Sequence, residues 1–168
     1  GAAVAAQPVT DTIKESADGK LLLVGNRRAN EIQLFDAPGR RSLGRLPVAQ
    51  DPVRVAISPD GKLIAYSTDR DGNFDLFVRQ LSGQQTVRLT THPAPDWFPS
   101  FSPDGSKVLY CRRGNEEYYW KRYKGGQYQD IWLYDFKAKS FAPVSDYVGK
   151  KVFLCNAATR ARQEVGKV

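Results

Sequence analysis

Several residue types that often report on function are scarce in this chain of 168 residues, which has no methionine, two cysteines and one histidine. No apolar run approaches the ~18 residues that a membrane-spanning helix needs. Helical periodicity is absent, and proline and glycine recur at intervals that no long helix would tolerate. These absences predict an all-β protein without a membrane span.

The scarcity of histidine limits the chemistry that the chain could perform. A Ser-His-Asp triad needs a histidine that is oriented by a carboxylate and placed on a serine. His92 lies instead in the proline-rich stretch "TTHPAPDW", which is typical of a loop. We therefore predict no catalytic residue.

One stretch alternates oxygen ligands as the first half of an EF-hand loop does: Asp69, Asp71, Asn73 and Asp75. The glycine that this loop requires at its sixth position is replaced by Phe74, and the glutamate at its twelfth by Gln80. The pattern favours a hairpin, so we predict no metal site and no cofactor.

Acidic residues are outnumbered by basic ones, which gives a formal net charge of +7. Such a charge suggests a nucleic-acid or polyanion binder. The basic residues are spread along the whole chain, however, which is typical of a solvated surface. The distribution of charge therefore does not favour nucleic-acid or polyanion binding, which is retained only as a second alternative.

The chain repeats one four-residue turn, as "SADG" at residues 16–19 and as "SPDG" at residues 58–61 and 102–105. The aspartates are 42 and 44 residues apart. Proline presets the second position of a type I turn, aspartate bonds local backbone, and glycine adopts the left-handed conformation that closes the turn. The predicted structural turn residues are Asp18, Gly19, Pro59, Asp60, Gly61, Pro103, Asp104 and Gly105.

Short apolar strands flank each turn and give four antiparallel strands in each repeat. A repeat of ~40–45 residues with four strands is typical of β-propeller blades. We predict three blades, at residues 10–49, 50–92 and 93–149. A fourth begins in register at Lys151, but the tail after it lacks the alternating pattern of a strand, so residues 150–168 are a partial fourth blade or an aberrant tail.

Propellers close with roughly four to eight blades, so three cannot form a ring alone. We expect the partners to be the remaining blades and catalytic region of a parent chain, or further copies of this chain. The small residues of "GAAVAAQ" resemble the end of an export signal. Residues 1–9 are therefore predicted to be disordered or a signal remnant, with a periplasmic location and a cytoplasmic one as the alternative.

The segments "ISPDGKLIAYSTDRDGNFDLFV" and "FSPDGSKVLYCRRGN" resemble the WD-like repeats of TolB-type propellers. Residues 118–149 are similar to a blade in the N-terminal propeller of tricorn-type serine peptidases. The resemblance covers residues 10–149 and implies a non-catalytic propeller that gates or docks peptides for a catalytic region. Nothing in this chain matches that catalytic region. The alternative is a periplasmic TolB-type platform for protein interactions.

The third blade carries a long insertion between its second and third strands. Long loops on a rigid scaffold commonly carry binding sites, and Tyr, Trp and Arg are favoured interface anchors. The insertion is therefore a candidate surface for a peptide or protein, and its alternative is a lengthened hairpin packed on its own sheet. We call these residues the aromatic-basic segment: Tyr118, Tyr119, Trp120, Lys121, Arg122, Tyr123 and Lys124.

Two cysteines, Cys111 and Cys155, occupy the same position in neighbouring repeats. Stacked sheets lie ~10 Å apart, which exceeds the ~7 Å Cα separation that a disulfide allows. We therefore predict that the two cysteines are not bonded to each other within one chain.

Overall fold

The computed structural model describes residues 10–48, 50–83, 85–113, 129–144, 151–155 and 162–167. Every regular element among these residues is a β-strand, and no helix within them is long and apolar enough to cross a membrane. The strands are β1 (Thr10–Glu15), β2 (Leu21–Asn26), β3 (Glu31–Asp36), β4 (Arg41–Pro47), β5 (Val53–Ile57), β6 (Leu63–Thr68), β7 (Asp75–Gln80), β8 (Thr86–Arg88), β9 (Asp96–Phe101), β10 (Lys107–Arg113), β11 (Gln129–Asp135), β12 (Ser140–Pro143), β13 (Lys151–Cys155) and β14 (Arg162–Lys167).

Twelve of these strands form three antiparallel sheets of four strands, in the orders β1-β2-β3-β4, β5-β6-β7-β8 and β9-β10-β11-β12. Each strand pairs with its neighbour in the chain, so each sheet is a meander built from successive hairpins. We call the sheets the first, second and third blade. The predicted all-β fold of four-stranded propeller blades is confirmed.

The repeated turns join the first two strands of each blade with one geometry. In the second blade, the Ser58 hydroxyl donates to Asp60 Oδ1 at 2.7 Å and accepts from the Leu63 amide at 2.8 Å. Gly61 has a φ of 68° and its amide donates to the Ser58 carbonyl at 2.9 Å. The same bonds recur in the other two turns at Ser16, Asp18 and Gly19 and at Ser102, Asp104 and Gly105.

The blades are held together by the faces of their sheets. Between the first and second blades lies a core of fully buried side chains, namely Leu23, Ile32, Val55, Ile64, Tyr66 and Phe77. Between the second and third lies a smaller cluster of Ala56, Ala65 and Val78, against which Leu63, Leu89, Phe101 and Phe136 pack. Each fully buried large apolar side chain stabilises the fold by roughly 1.5–3 kcal/mol, so the second blade is stabilised from both sides.

The first strand of each blade lies innermost. Strand β5 packs against β1 and β2, while β9 packs against β5, β6 and β7. The last strand of the first blade, β4, is exposed along almost its whole length. Strands β1, β5 and β9 therefore line the propeller axis, and the last strands lie at the periphery.

The tail contains one pair of strands. Strand β14 pairs antiparallel with β13, from Lys151 opposite Lys167 to Cys155 opposite Arg162, although the sequence after β13 lacks the alternating pattern of a strand. Backbone pairing does not require an alternating apolar pattern, and strand formation depends more on the available partner than on intrinsic propensity.

Candidate functional site

The innermost strands share a backbone irregularity near their first residues. The pairing register of β1 shifts between Thr10 and Thr12, and that of β5 shifts between Val53 and Ala56. The pairing of β9 with β10 shifts in the same way. Such β-bulges re-aim side chains and are frequent beside functional sites.

At two of these bulges a residue other than glycine adopts a left-handed backbone. Arg54 has a φ of 54° and Phe98 a φ of 57°, and the two are 44 residues apart, at one position of the repeat. Among the described residues they are the only two non-glycine residues within a strand that have a positive φ. Such conformations cost of order 1–3 kcal/mol and cluster at functional sites.

The bulged residues contact one another from blade to blade. Thr12 Oγ1 accepts a hydrogen bond from the Arg54 amide at 3.1 Å. The guanidinium carbon of Arg54 lies 4.8 Å from the centroid of the Phe98 ring, within the range of a cation–π contact. The Phe98 side chain is nevertheless 45% exposed. The three equivalent positions therefore form one continuous surface across three blades.

This surface forms part of the lining of a groove of about 460 Å³, which we call the axial groove because strands β1, β5 and β9 contribute to it. It is lined by Thr12, Lys14, Glu15 and Ala17 of the first blade, by Arg54, Val55, Ala56, Ile57 and Pro59 around the second, and by Phe98, Pro99, Ser100 and Phe101 of the third. Its volume lies within the ~300–1,000 Å³ typical of ligand sites.

The charges of the axial groove are unevenly paired. Neither Arg54 nor Lys14 forms an ion pair in the part of the chain that the structure describes. Thr12 and Lys14 are two residues apart in β1, so they share a face of the strand, and Glu15 is the one acidic residue that lines the groove beside the cations Lys14 and Arg54. The groove therefore carries an excess of positive charge.

A buried polar network holds the beginning of β9, where Phe98 lies. Asp96 is fully buried and accepts two hydrogen bonds from Arg112, at 2.8 Å from Nε and 3.0 Å from Nη2. Its amide donates to the Phe74 carbonyl at 2.7 Å, and Phe74 stacks on Trp97 with ring centroids 3.9 Å apart. The position of Phe98 is therefore set by anchors at the two residues that precede it.

Strand β7 begins with a second buried acid at the same end of the blades. Asp75 accepts hydrogen bonds from Arg88 and from the Thr90 hydroxyl. Burial raises the pKa of the Asp75 carboxyl above its usual value, against the lowering effect of those two donors. Asp75 is thus engaged in structure.

Two further residues of the EF-hand-like stretch, Asp71 and Asn73, are engaged as well. Asp71 pairs with Arg88 at 3.2 Å, and the Asn73 amide donates to the carbonyl of His92 at 2.8 Å. The described residues contain no group of three or more acidic, histidine or cysteine side chains that could hold a metal. His92 Nδ1 accepts from the Ala94 amide at 3.0 Å, which is a loop contact.

The aromatic-basic segment lies outside the described residues. Its flanking strands are described, because Arg113 of β10 pairs with Gln129 of β11. These strand ends lie at the same end of the third blade as the beginning of β9, where Arg112 is opposite Asp96. The insertion therefore leaves and re-enters the sheet at the end of the propeller that carries Arg54 and Phe98.

The axial groove and its residues Thr12, Arg54 and Phe98 were not predicted from the sequence. A left-handed strand residue is ordinarily glycine or asparagine, so an arginine and a phenylalanine gave no signal. Extending the repeat alignment backwards from the turns would have placed Thr12, Arg54 and Phe98 at one position.

Cys111 is a free, half-buried thiol, and burial raises its pKa.

Comparisons with known proteins agree with this architecture, although no family model matches the chain. Dipeptidyl-peptidase 5 of Porphyromonas endodontalis is 32% identical over 126 residues, which cover 70% of this chain and 15% of that protein. TolB of Acinetobacter baumannii superposes with a TM-score of 0.61 at 20% identity, over 79% of this chain and 31% of TolB. Tricorn protease superposes with a TM-score of 0.55 at 16% identity, over 75% of this chain and 13% of the protease.

These likenesses establish a set of β-propeller blades with the fold of TolB-type repeats. The resemblance to TolB-type and tricorn-type propellers is confirmed at the level of fold. The chain spans less than a third of each of these three proteins.

Proposed function

We propose that this chain is the non-catalytic β-propeller portion of a peptidase and that its axial groove docks peptide substrates for a catalytic region of the parent protein. The similarity to a dipeptidyl-peptidase and the fold shared with tricorn protease support this proposal. The observation that carries it is the axial groove itself, where Arg54 lies on the exposed ring of Phe98.

The groove has the physical properties that peptide binding requires. The exposed ring of Phe98 offers apolar surface, while Arg54 and Lys14 offer charged donors that orient a ligand. Because the bulges fix the two strained residues in place, the surface is pre-organised and loses little entropy on binding. Binding then requires no rearrangement of the blades.

The aromatic-basic segment is proposed as a second part of the same docking surface. The strands that flank it end on the side of the propeller where Arg54 and Phe98 lie. A peptide in the axial groove would extend towards this side. The gating of access to a catalytic region is proposed for the propeller as a whole.

The second candidate function is a TolB-type platform for protein interactions, which the superposition on TolB favours. In that case, the groove would take an extended segment of a folded partner, and the chain would act in the periplasm as the export prediction suggests. Short free peptides would then bind far more weakly than the intact partner.

The test uses the purified 168-residue chain and fluorescently labelled hexapeptides of varied sequence, with fluorescence anisotropy as the readout. We compare Phe98→Ala with Phe141→Ala, because the two phenylalanines are 45% and 44% exposed, respectively, and Phe141 lies in peripheral strand β12. Loss of an aromatic anchor costs roughly 1–2 kcal/mol of binding, so Phe98→Ala should raise Kd about 5- to 30-fold and Phe141→Ala less than about twofold.

Two outcomes would contradict the proposal. One is that a folded chain binds none of the peptides. The other is that peptides bind but the two phenylalanine variants weaken binding equally, which would place the docking surface outside the axial groove.

A further inference from the structure

Resting on the proposed function, we infer that Arg54 recognises a carboxylate of the docked peptide. The axial groove then selects peptides by a negative group, either a C-terminal carboxylate or the side chain of Asp or Glu. The inference starts from a comparison between Arg54 and an arginine elsewhere in this chain.

Arg112 supplies the comparison within the same molecule. Its guanidinium lies 4.4 Å from the centroid of the Trp132 ring and at the same time holds both oxygens of Asp96. An arginine on an aromatic face keeps the N–H donors at its edge free, and their fork matches the two oxygens of a carboxylate. The chain therefore already contains one complete aromatic–arginine–carboxylate assembly.

Arg54 reproduces two of the three parts of that assembly. Its guanidinium lies 4.8 Å from the Phe98 centroid, yet none of the described acidic side chains forms an ion pair with it. The third part would come from a ligand in the groove.

The burial of the two arginines explains why one pair is structural and the other site is available. The side chain of Arg112 is 14% exposed and its partner Asp96 is fully buried. Arg54, in contrast, is exposed and lines a groove of about 460 Å³. Solvent and ligands can therefore reach the donors of Arg54.

Lys14 adds to the same preference. It shares a face of β1 with Thr12, whose hydroxyl contacts the backbone of Arg54. A second cation beside the bidentate site favours a negative group there and disfavours a positive one. With Glu15 as the single acid among the lining residues, the groove keeps an excess of positive charge and is complementary to an anionic peptide group.

The experiment measures three hexapeptides of one sequence on the wild-type chain: one with a free C-terminus, one with an amidated C-terminus, and one amidated with an added internal Asp. A charge-assisted hydrogen-bonded contact contributes about 1.5–3 kcal/mol, equivalent to a Kd change of about 10- to 150-fold. If the C-terminal carboxylate is bound, amidation should weaken binding by this factor. If an acidic side chain suffices, the added Asp should restore it.

The protein variants are Arg54→Gln, Arg54→Lys and, as the control, Arg41→Gln. Arg41 is an exposed arginine of peripheral strand β4 that pairs with Asp36 at 2.8 Å. Arg54→Gln should abolish the difference between carboxylate and amide peptides, and Arg54→Lys should retain only part of it, since lysine lacks the fork. The Arg41 variant should match the wild type.

The possible failures are distinguishable. If wild-type chain binds carboxylate and amide peptides equally well, the carboxylate inference is wrong while peptide docking stands. If Arg54→Gln weakens both kinds of peptide equally, Arg54 contributes to the groove without recognising a carboxylate, and the inference is again wrong. If no peptide binds, the proposed function itself fails.

Discussion

The two ends of the innermost strands follow opposite rules. At the turn end, the three blades repeat both the backbone and the side chains, so that a serine, an aspartate and a glycine recur with the same hydrogen bonds. At the axial bulges the blades repeat the irregularity but vary the side chain, from Thr12 to Arg54 to Phe98. Constant chemistry on a repeated backbone stabilises the fold, and varied chemistry on a repeated backbone provides a surface that can recognise a ligand.

The strain of the backbone is distributed in the same way. At the turn end the left-handed residue is glycine, with φ between 68° and 70°, and glycine adopts this conformation without strain. At the axis an arginine and a phenylalanine adopt it at a cost of order 1–3 kcal/mol each. The left-handed positions of the turns therefore cost the fold little stability, whereas those of the groove lower its stability.

The largest expected effect concerns the anchor beneath the groove. Asp96→Ala leaves the buried guanidinium of Arg112 without its partner, which should lower the free energy of unfolding by about 3–5 kcal/mol. Asp51→Ala is the comparison, since Asp51 binds Arg27 in the same bidentate way at 2.7 and 2.5 Å but with the two side chains only partly buried, at 27% and 38% exposure. That variant should lose no more than about 1 kcal/mol. Urea unfolding measures the free energy of unfolding of both variants. Equal losses would mean that the burial of the Asp96–Arg112 pair does not make it more important for stability than the Asp51–Arg27 pair.

The turn end was predictable from sequence because its chemistry is local. Proline, aspartate and glycine in a fixed order specify one turn, and their recurrence specifies the blades. The role of Ser58 was missed, because a buried hydroxyl that bridges Asp60 and the Leu63 amide becomes visible only in the folded turn. The axial groove could not be predicted, since it depends on contacts between blades that are distant in sequence.

The next effect tests the turn end directly. Ser58 is 1% exposed, and its hydroxyl makes two hydrogen bonds. Ser58→Ala leaves the Leu63 amide without this acceptor and should cost about 1–3 kcal/mol of stability. Ser42→Ala, at an exposed position of β4, should change stability by less than about 0.5 kcal/mol. A neutral Ser58 variant in thermal or urea unfolding would show that the repeated serine is not needed for the turn.

The third effect compares the turn end and the axial end of the innermost strands, by replacing a left-handed glycine at the turn and by introducing a glycine at the axial bulge. A Cβ at Gly61 would meet only Leu21 Cδ1 at 3.7 Å, so Gly61→Ala should cost about 1–2 kcal/mol through its left-handed backbone alone. Arg54→Gly removes strain at the axis and should be neutral or stabilising by up to about 1 kcal/mol, while the preference for carboxylate over amide peptides is lost. Parallel unfolding and anisotropy measurements test this trade of stability for binding. A strongly destabilised Arg54→Gly chain would assign the arginine a structural role.

The smallest effect is the dependence of the turn end on pH. The Ser102 hydroxyl, and then that of Ser106, hold the pKa of the Asp104 carboxyl well below its usual range. Since the folded-state pKa is depressed, the stabilisation is complete above the unfolded value of about 3.9 and is lost as pH falls through the folded pKa. Asp104→Asn should therefore be less stable than wild type at pH 7, and the gap should narrow below about pH 4. Urea midpoints of the wild type and the variant, at pH 7 and below about pH 4, measure this difference in stability. A difference that widens in acid would mean that the carboxylate does not stabilise the turn.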